Sequence, residues 1–594
     1  MSATPLGVHL SPAVRVDDNL LAERGRWTLT EVRTVRAVRT VGRCTVRYSD
    51  PEYALAESNQ LGIGKKLSVT AQSNTRGSSS RVVFSGEITG VAMQHGQSGR
   101  PELVVTAEDA AHRLARTSRA LTYLDMTYEE IIKLRLQTSA VGVGNLGSSG
   151  LRPYVLQADT DLAFINDLTA RLGKDWIVTD GDLDIWDPTG QRTGWTSPVD
   201  LTLGEDISEF STQLTSAAPS EVTVRGIDPT TSQLVRGHEV RPASTEKLAR
   251  TFKLTGAARG TVLDTTSNPL TGVEATELAT AGLRSQGNVV ARGRLSVRPE
   301  LEPGGWFVMH DAGPGSGRYY VREVVHHYST HRFVTEVVAG DRPDATLRSA
   351  LGAHHGSPTS SFTHHGMVVG KVSDVDDTGH LGRVKVTFTV LSETITSDWA
   401  RVAAIGGGAN RGLLALPEIG DEVLLGFEGA DVRRPVVLAG LYGAENAPPG
   451  AVTAQKDGKV LTRALTSRLG HVVELSDGAS PAAQHVLVAL AGLEHKLKLG
   501  KDSAELSVPD NVPLTISAGS STITLDGKGK IAVTGTEISF AADMKIVLKA
   551  PTIDISATTK ASVTGAQVEV KGSGTTAVEA GGMMTIKGAM VNIN

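Results

Sequence analysis

The stretch from Ile523 to Ile593 constrains this chain more than any other. Apolar residues recur there in i, i+2 pairs: Ile523/Leu525, Ile531/Val533, Ile538/Phe540, Ile546/Leu548 and Ile553/Ile555, then Ala561/Val563, Val568/Val570, Thr576/Val578, Met584/Ile586 and Val591/Ile593. Successive pairs start seven or eight residues apart. In an extended strand i and i+2 share a face, so each pair points one way and its polar neighbours the other. Seven or eight residues supply one strand and one turn. A single chain closing three walls would need about 18 residues or more per rung, given the strand rise. Three chains wound together, each supplying one wall and passing to the next, satisfy the shorter period. The pattern therefore predicts an obligate homotrimer with a core built on Ile523, Ile531, Ile538, Ile546, Ile553, Val563, Val568, Val578, Ile586 and Val591.

Composition narrows the rest. Aromatic residues are only 4 % of 594 and glycines number 64, so the chain turns often and packs small, largely β-branched side chains. A helical solenoid or an aromatic-rich sugar-binding scaffold does not fit this. The net charge of -5 argues against a general nucleic-acid binder. One cysteine excludes an intrachain disulfide framework and a cysteine-only zinc site, and fits a reducing compartment. The first residues, MSATPLGVHLSPAVRVDD, lack the charged start and apolar core of a secretory signal, and no apolar run reaches about 18 residues. We expect synthesis in the cytoplasm without a signal peptide.

Five segments follow from texture: a strand-rich module over 1–350 with helices between 105 and 172, a linker over 351–366, a small barrel over 367–445, a connector over 446–515 and the repeat over 516–594. VTAEDAAHRLAR (105–116) reads as helical. Thr127 and Glu130 form a capping box for a helix through Ile131, Ile132 and Leu134. Asp159 or Thr160 caps a second helix, with Leu162, Ile165, Leu168 and Leu172 at helical spacing and Gly173 as its stop. WIVTDGDLDIW is a hairpin around Asp180-Gly181. EVTVRGIDPTTSQLVRG is two runs around a Pro-containing turn, and 195–350 otherwise reads as strands. Five apolar runs over 367–443, separated by Gly- and Asp-rich turns, suggest a closed barrel of the OB type.

Each chemical motif has a plainer structural reading. His354-His355 and His364-His365 lack carboxylates or cysteines at ligand spacing and read as linker residues. His326, His327 and His331 lie in a strand, where neighbours point to opposite faces and share no metal. Asp374, Asp376 and Asp377 lack the Glu and the oxygen set of a calcium loop and read as a turn. Ser392, Glu393, Asp398 and His380 form no hydrolase signature, since no GxSxG elbow presents a serine. The basic run EVRTVRAVRTVGRCTVR (31–47) has no interleaved aromatics and reads as a strand surface, with Cys44 buried in it. No catalytic residue, cofactor or metal is expected.

The order of these parts resembles the spike of contractile injection machines, the VgrG family of type VI secretion, and the hub and central spike of contractile phage tails. The carriers are DTDLAFINDLTARLGKDWIVTDGDLDIWDP (159–188), VRGIDPTTSQLVRG (224–237, with Ile227 where the family often has Trp) and HHYSTHRFVTEVVAG (326–340). The barrel is the most specific part: glycine turns before Arg383, Trp399 beside Ala400-Arg401, and the Pro417…Gly420-Asp421 corner. SRLGHVVELSDG (467–478) resembles the family's approach to its prism, with Leu469 as a departure. LSETITSDWARV is closer to phage-tail-like or extracellular systems than to typical type VI VgrG. The stretch between Tyr442 and Ile523 is shorter than one ordinary domain, so a lysozyme insert as in some phage spikes is not expected.

The resemblance implies a fold of mainly β domains: hub-type β modules with a helical insertion, an OB-fold barrel and a C-terminal trimeric intertwined β-helix or β-prism. It implies a non-enzymatic homotrimer whose ring seats under a six-fold tube. The implied partners are tube, tube-initiator and baseplate proteins, effector cargo, a target membrane met transiently, and a PAAR-type tip protein; no nucleic acid is implied. The tip protein is expected at Met590, Asn592, Ile593 and Asn594. The assembled particle would act inside the cell or after release. The main rival is a trimeric phage tail fibre or receptor-binding adhesin, which would usually end in an aromatic-rich head. A tail-associated cell-wall hydrolase is the second.

Overall fold

The computed structural model describes residues 11–21, 25–73, 80–95, 100–190, 192, 197–216, 218–242, 247–252, 260–330, 332–341, 366–388, 395–450, 455–456 and 458–593. The chain is mainly β and divides into two compact units, Met1–Pro448 and Pro449–Asn594. The histidines at 331, 354, 355, 364 and 365, with Ser392, Glu393 and Asn594, lie outside the described residues.

One 13-stranded sheet organises the first unit. Its N-terminal half contains the strands Thr28–Ala37, Arg43–Ser49, Pro101–Glu108, Ser80–His95 and Lys66–Gln72, hydrogen-bonded in that order. Its C-terminal half contains Ile207–Leu214, Val289–Ser296, Arg332–Ala339 and Gly317–Ser329. The halves join where Gly317–Ser329 pairs antiparallel with Thr28–Ala37, Val325 opposite Val35 and His327 opposite Arg33. Alternation sets which face is buried: Cys44, Val46 and Tyr48 point inward while Arg43, Thr45 and Arg47 do not. They pack with Leu67, Val69, Leu103 and Val105, and each fully buried Val or Leu contributes about 1.5–3 kcal/mol.

The described residues include four α-helices: α1 (Tyr128–Thr138), α2 (Asp161–Arg171), α3 (Lys247–Thr251) and α4 (Gly272–Arg284). The capping box of α1 is present, with Thr127 Oγ1 accepting from Glu130 N and Glu130 accepting from Thr127 N. Thr160, not Asp159, caps α2 through Ala163 N. Gly173 follows at φ +62°, a conformation that favours glycine, and an added Cβ would meet Ala281 of α4 at 2.8 Å. The Asp180-Gly181 hairpin pairs Asp175–Thr179 with Asp182–Trp186. Trp176 is fully buried between these helices and donates to Asn166 Oδ1 at 2.9 Å.

Two expectations need correction. VTAEDAAHRLAR is not one helix: Val105 to Glu108 belong to the strand Pro101–Glu108, and only a 3-10 turn, Ala110–Ala115, follows. The ladder with Arg43–Ser49 holds the first half extended, and Asp109 caps the turn by accepting from Ala111 N at 3.0 Å. The region 195–350 is not strands alone, because α4 lies inside it, capped by Thr271 and burying Ala275, Leu278, Ala279 and Leu283.

The five barrel runs form a five-stranded sheet in the order Lys385–Thr387, Val368–Asp374, Glu422–Phe427, Pro435–Gly440, Arg401–Val402. Reciprocal hydrogen bonds between Val384 and Ala400, 3.0 and 2.7 Å, bring its first and last strands together. Val372, Val384, Val386, Phe388, Val423, Leu425 and Val437 fill the interior.

In the second unit a short antiparallel pair, Gln455–Lys456 with Lys459–Val460, precedes an antiparallel meander of five strands within Thr462–Ser507 and a three-stranded meander within Leu514–Thr534. From 535 to 593 no strand or helix is assigned among the described residues.

Candidate assembly interface

Three built features of this molecule bear on what it can do: the barrel's turns, the seam that fixes the barrel to the rest of the first unit, and the exposed apolar surface of the second unit.

The turn after Val368–Asp374 is held by Asp377. Its carboxylate accepts from Gly379 N and Leu381 N, both 3.0 Å, and from Arg383 Nε and Nη2 at 3.0 and 2.7 Å. The Arg383 guanidinium, helped by those amides, keeps the carboxyl well below the usual carboxylate range. With its carboxylate oxygens already accepting from protein groups, Asp377 is a turn residue, and Asp374 likewise accepts from Asp376 N at 2.9 Å. Trp399 lies under two cations, with Lys385 Nζ 4.7 Å and the Arg383 guanidinium carbon 5.7 Å from its ring centre. Gly420 turns the corner at φ +97° and donates to Val372 O, while Asp421 accepts from Glu418 N.

The seam combines an apolar core with buried charge. Tyr154 and Leu156, from the strand Leu151–Gln157, pack in the same core as the barrel residues, and Tyr154 OH donates to Thr396 O at 3.1 Å. Arg433, on the turn before Pro435–Gly440, has a fully buried side chain. It meets Glu274 of α4 at 2.7 Å and Asp431 at 2.7 Å. Arg171 of α2 reaches the same Glu274 oxygen at 2.6 Å, and Leu270 N donates to the other at 2.8 Å. Burial alone would raise the Glu274 carboxyl, but Arg433 and Arg171 outweigh it and hold the group well below the ordinary range. Arg434 donates to Pro269 O at 2.9 Å, and Asn268 Nδ2 to Gly429 O at 3.1 Å. The barrel is thus clamped onto the loop and helix 268–274 at several points, a rigid joint and not a tether.

The second unit presents apolar rows to solvent. Leu465, Val473, Val488, Leu497 and Leu506 stand opposite one another across the five-stranded meander, and each is more than 40 % exposed. Ile516, Ile523 and Val533 continue this pattern in the next sheet. Sequence reasoning treated 446–515 only as a connector. The alternation in VVELSD, HVLVA and KLKLG carried the signal for this apolar face.

Beyond Thr534 the chain bends at 536, 543–544, 551, 558–559, 566–567, 573–574, 581–582 and 589–590. Those bends step by seven or eight residues, matching the spacing of the apolar pairs. Ile538, Ile546, Ile553, Val563, Val568, Val578 and Ile586 each sit on a run between two bends, Val591 follows the last of them, and all are exposed. Ile523 and Ile531 lie instead in the antiparallel pair formed by Ser521–Leu525 and Ile531–Thr534, with Leu525 opposite Ile531. Met590, Asn592 and Ile593 are exposed at the last described run.

The remaining motifs serve the fold. Arg36 donates to Val178 O and Thr179 Oγ1, at 3.3 and 3.0 Å, and Arg47 pairs with Glu31 at 2.9 Å. Cys44 is buried, which pushes its thiol well above the ordinary range. His326 contacts Thr335 Oγ1 and His327 contacts Glu31, both at 3.0 Å, so the two rings have separate partners. His380 is a turn residue at φ +51°. Among the described residues no helix is long and apolar enough to cross a membrane, and no group of His, Cys, Asp and Glu is arranged to hold a metal.

Residues 368–442 match the family described as the type VI secretion system/phage-baseplate injector OB domain, which is the barrel. Residues 36–330 match a second family, the Alg8 N-terminal domain. Among curated proteins, the chain is similar to the type VI secretion system spike protein VgrG5 of Pseudomonas aeruginosa, 38 % identical over 14 % of this chain and 11 % of that protein. It is also similar to VgrG3 of Vibrio cholerae, 34 % identical over 16 % of this chain and 10 % of that one. The matched stretch is therefore about a tenth of each relative's length. Among solved structures, the E. coli c3393 protein, a type VI secretion component similar to the T4 tail proteins gp27 and gp5, superposes with a TM-score of 0.46 at 14 % identity, over 72 % of this chain and 99 % of that one. A chain of the Francisella PdpA-VgrG complex gives 0.48 at 11 % identity, over 88 % and 79 %. In its barrel the chain is VgrG-like.

Proposed function

We propose that this VgrG-like chain is the homotrimeric central spike and hub of a contractile injection machine. It joins the tube and baseplate to a membrane-puncturing tip and carries effector cargo as a separate protein. The observation that carries this reading is the run from 535 to 593. Its segments bear exposed apolar pairs, bend every seven or eight residues and, among the described residues, are paired with no strand. Rows of uncovered Ile and Val are unfavourable in water, and burying them requires that the backbone amides buried with them be paired. Two further copies of the same segment supply both the missing hydrogen bonds and the missing apolar cover. A shaft built this way loses apolar burial along its whole length if it unwinds, which suits a part that transmits axial force.

The clamped barrel suits a load path, because a joint fixed by Arg433, Glu274 and Arg434 resists shear better than a flexible linker. The 1–350 module, the 367–445 barrel and the 516–594 shaft are then hub, adaptor and spike, with 446–515 leading into the shaft. A PAAR-type tip protein would dock on Met590, Asn592, Ile593 and Asn594. The chain would be made in the cytoplasm and act within a contractile particle, without chemistry of its own.

Light scattering on the purified full chain tests the core of this reading: a trimer mass is expected, and a stable monomer overturns it. Pairing Met590→Asp with Ile593→Asp should abolish co-purification of the tip protein while leaving the trimer intact.

A further inference from the structure

Residues 535–593 contain ten charged side chains, and none occupies an inward position of the apolar pairs. Their order along the shaft is not random. Counting from the first member of each pair, Lys571, Glu579 and Lys587 all stand at the third following position in three consecutive repeats, after Val568, Thr576 and Met584. Glu537 and Lys545 both stand immediately before the pair, ahead of Ile538 and Ile546. Each set therefore occupies one column of the outward face and alternates in sign from one repeat to the next. Lys571 also meets Glu569 two residues before it.

The apolar pairs alone do not specify how three copies align. A slip of one repeat still sets a small or aliphatic pair against another, Val568/Val570 where Thr576/Val578 stood and Thr576/Val578 where Met584/Ile586 stood, so the core discriminates weakly against it. We propose that the outward charges fix this register. The inference rests on the trimer reading above. When each chain supplies one wall and then passes to the next, the strands stacked on any one wall come from different chains and from consecutive repeats. They lie about 4.8 Å apart. In the correct register Glu579 of one copy is sandwiched between Lys571 and Lys587 of the other two, and Glu537 of one copy meets Lys545 of another. After a slip of one repeat, Lys571 stacks on Lys587 and like charges face each other, which is unfavourable at directly opposed strand positions. The shaft thus combines a permissive core with a sign-alternating surface that rejects misaligned assembly.

The full chain tests this through Glu579→Lys and the compensated variant K571E/E579K/K587E, each followed by light scattering and by thermal melting at low salt and at about 0.5 M salt, where exposed charges are screened. We expect E579K to melt several degrees below wild type at low salt, the deficit to shrink at high salt, and the triple reversal to restore the wild-type midpoint. A trimeric wild type with an unaltered E579K midpoint overturns the register inference and leaves the trimer reading standing. So does a deficit that the triple reversal fails to restore. A monomeric wild type overturns the trimer reading itself.

Discussion

Arg433 and Glu274, 159 residues apart in the chain, meet at 2.7 Å with both side chains almost wholly removed from solvent. This pair fastens the barrel to α4. The Arg433 guanidinium is also gripped by Asp431, and the Glu274 carboxylate by Arg171 and Leu270 N, so each charge keeps a partner if the other is lost. Breaking a buried pair by removing one member typically costs about 3–5 kcal/mol, and the shared partners place this case at the lower end. We expect Arg433→Met and Glu274→Gln each to destabilise the first unit by about 3 kcal/mol in denaturant unfolding. The double variant should lose less than the sum. Additive losses would show that the two charges are not coupled.

Gly429 tests the same seam through the backbone. It lies at φ +62°, and a Cβ there would come within 2.0 Å of Asn268 Nδ2, the group that donates to the Gly429 carbonyl. Gly429→Ala therefore combines about 1–2 kcal/mol of left-handed strain with displacement of Asn268. Limited proteolysis between Asn268 and Arg433 should speed up in the variant, while Gly440→Ala, which has open space at its Cβ, should leave the pattern unchanged.

Much of what positions this seam was legible in the sequence, and the reason is locality. The Thr127/Glu130 box, the Gly173 stop and the Asp180-Gly181 turn are each decided within a few residues, and the barrel strands by short apolar runs between turn residues. The bends beyond 535 follow the apolar period for the same reason. Helix α4 was missed although Thr271 and Glu274 stand at capping-box spacing. Its buried residues Ala275, Leu278, Ala279 and Leu283 also fall at helical spacing, so the local signal was present. The clamp itself was not legible: in DVRRP two arginines look like a solvated turn, and only tertiary packing against α2 and α4 buries them. Likewise no local signal pairs Gly317–Ser329 with Thr28–Ala37.

Acid sensitivity has an identifiable contributor. Burial, with Arg36 nearby, pushes the His326 imidazole down to about 3. Unfolded, the ring takes up its proton near 6.5. The unfolded state therefore binds more protons between those values, and stability falls as pH drops from about 6.5 to about 3, by up to ~1.4 kcal/mol per pH unit. Asp109 acts in the opposite sense, since burial pushes its carboxyl up to about 7, and its contribution is lost as pH rises toward that value. Comparing His326→Gln with wild type cancels the Asp109 contribution. The difference in unfolding free energy should narrow as pH falls from 6.5 to 4; a constant difference would mean that the ring does not titrate on unfolding.

The shaft gives the sharpest prediction about sequence and fold. Gly565 precedes the bend at 566–567, and every later pair, from Val568 to Ile593, depends on the strand phase set there. One serine inserted after Gly565 alters neither net charge nor hydrophobicity appreciably. If the bend cannot absorb it, it exchanges inward for outward positions along the next strand. Val568 and Val570 would then face solvent, and Glu569 would face the shared axis of three chains. A charge in that core cannot be paired with an opposite one, because three-fold symmetry brings three carboxylates together. We expect the insertion to leave residues upstream of 565 trimeric but to expose those downstream, seen as rapid protease cleavage after Lys571 and Lys587 and a lower melting midpoint. A seven-residue insertion of AQVEVKG at the same point, a copy of residues 566–572, keeps the step at seven and should restore protease resistance. If the single serine leaves the downstream segment as resistant as wild type, the walls of the shaft are not built from phase-locked strands, and the three-chain packing of this segment is wrong.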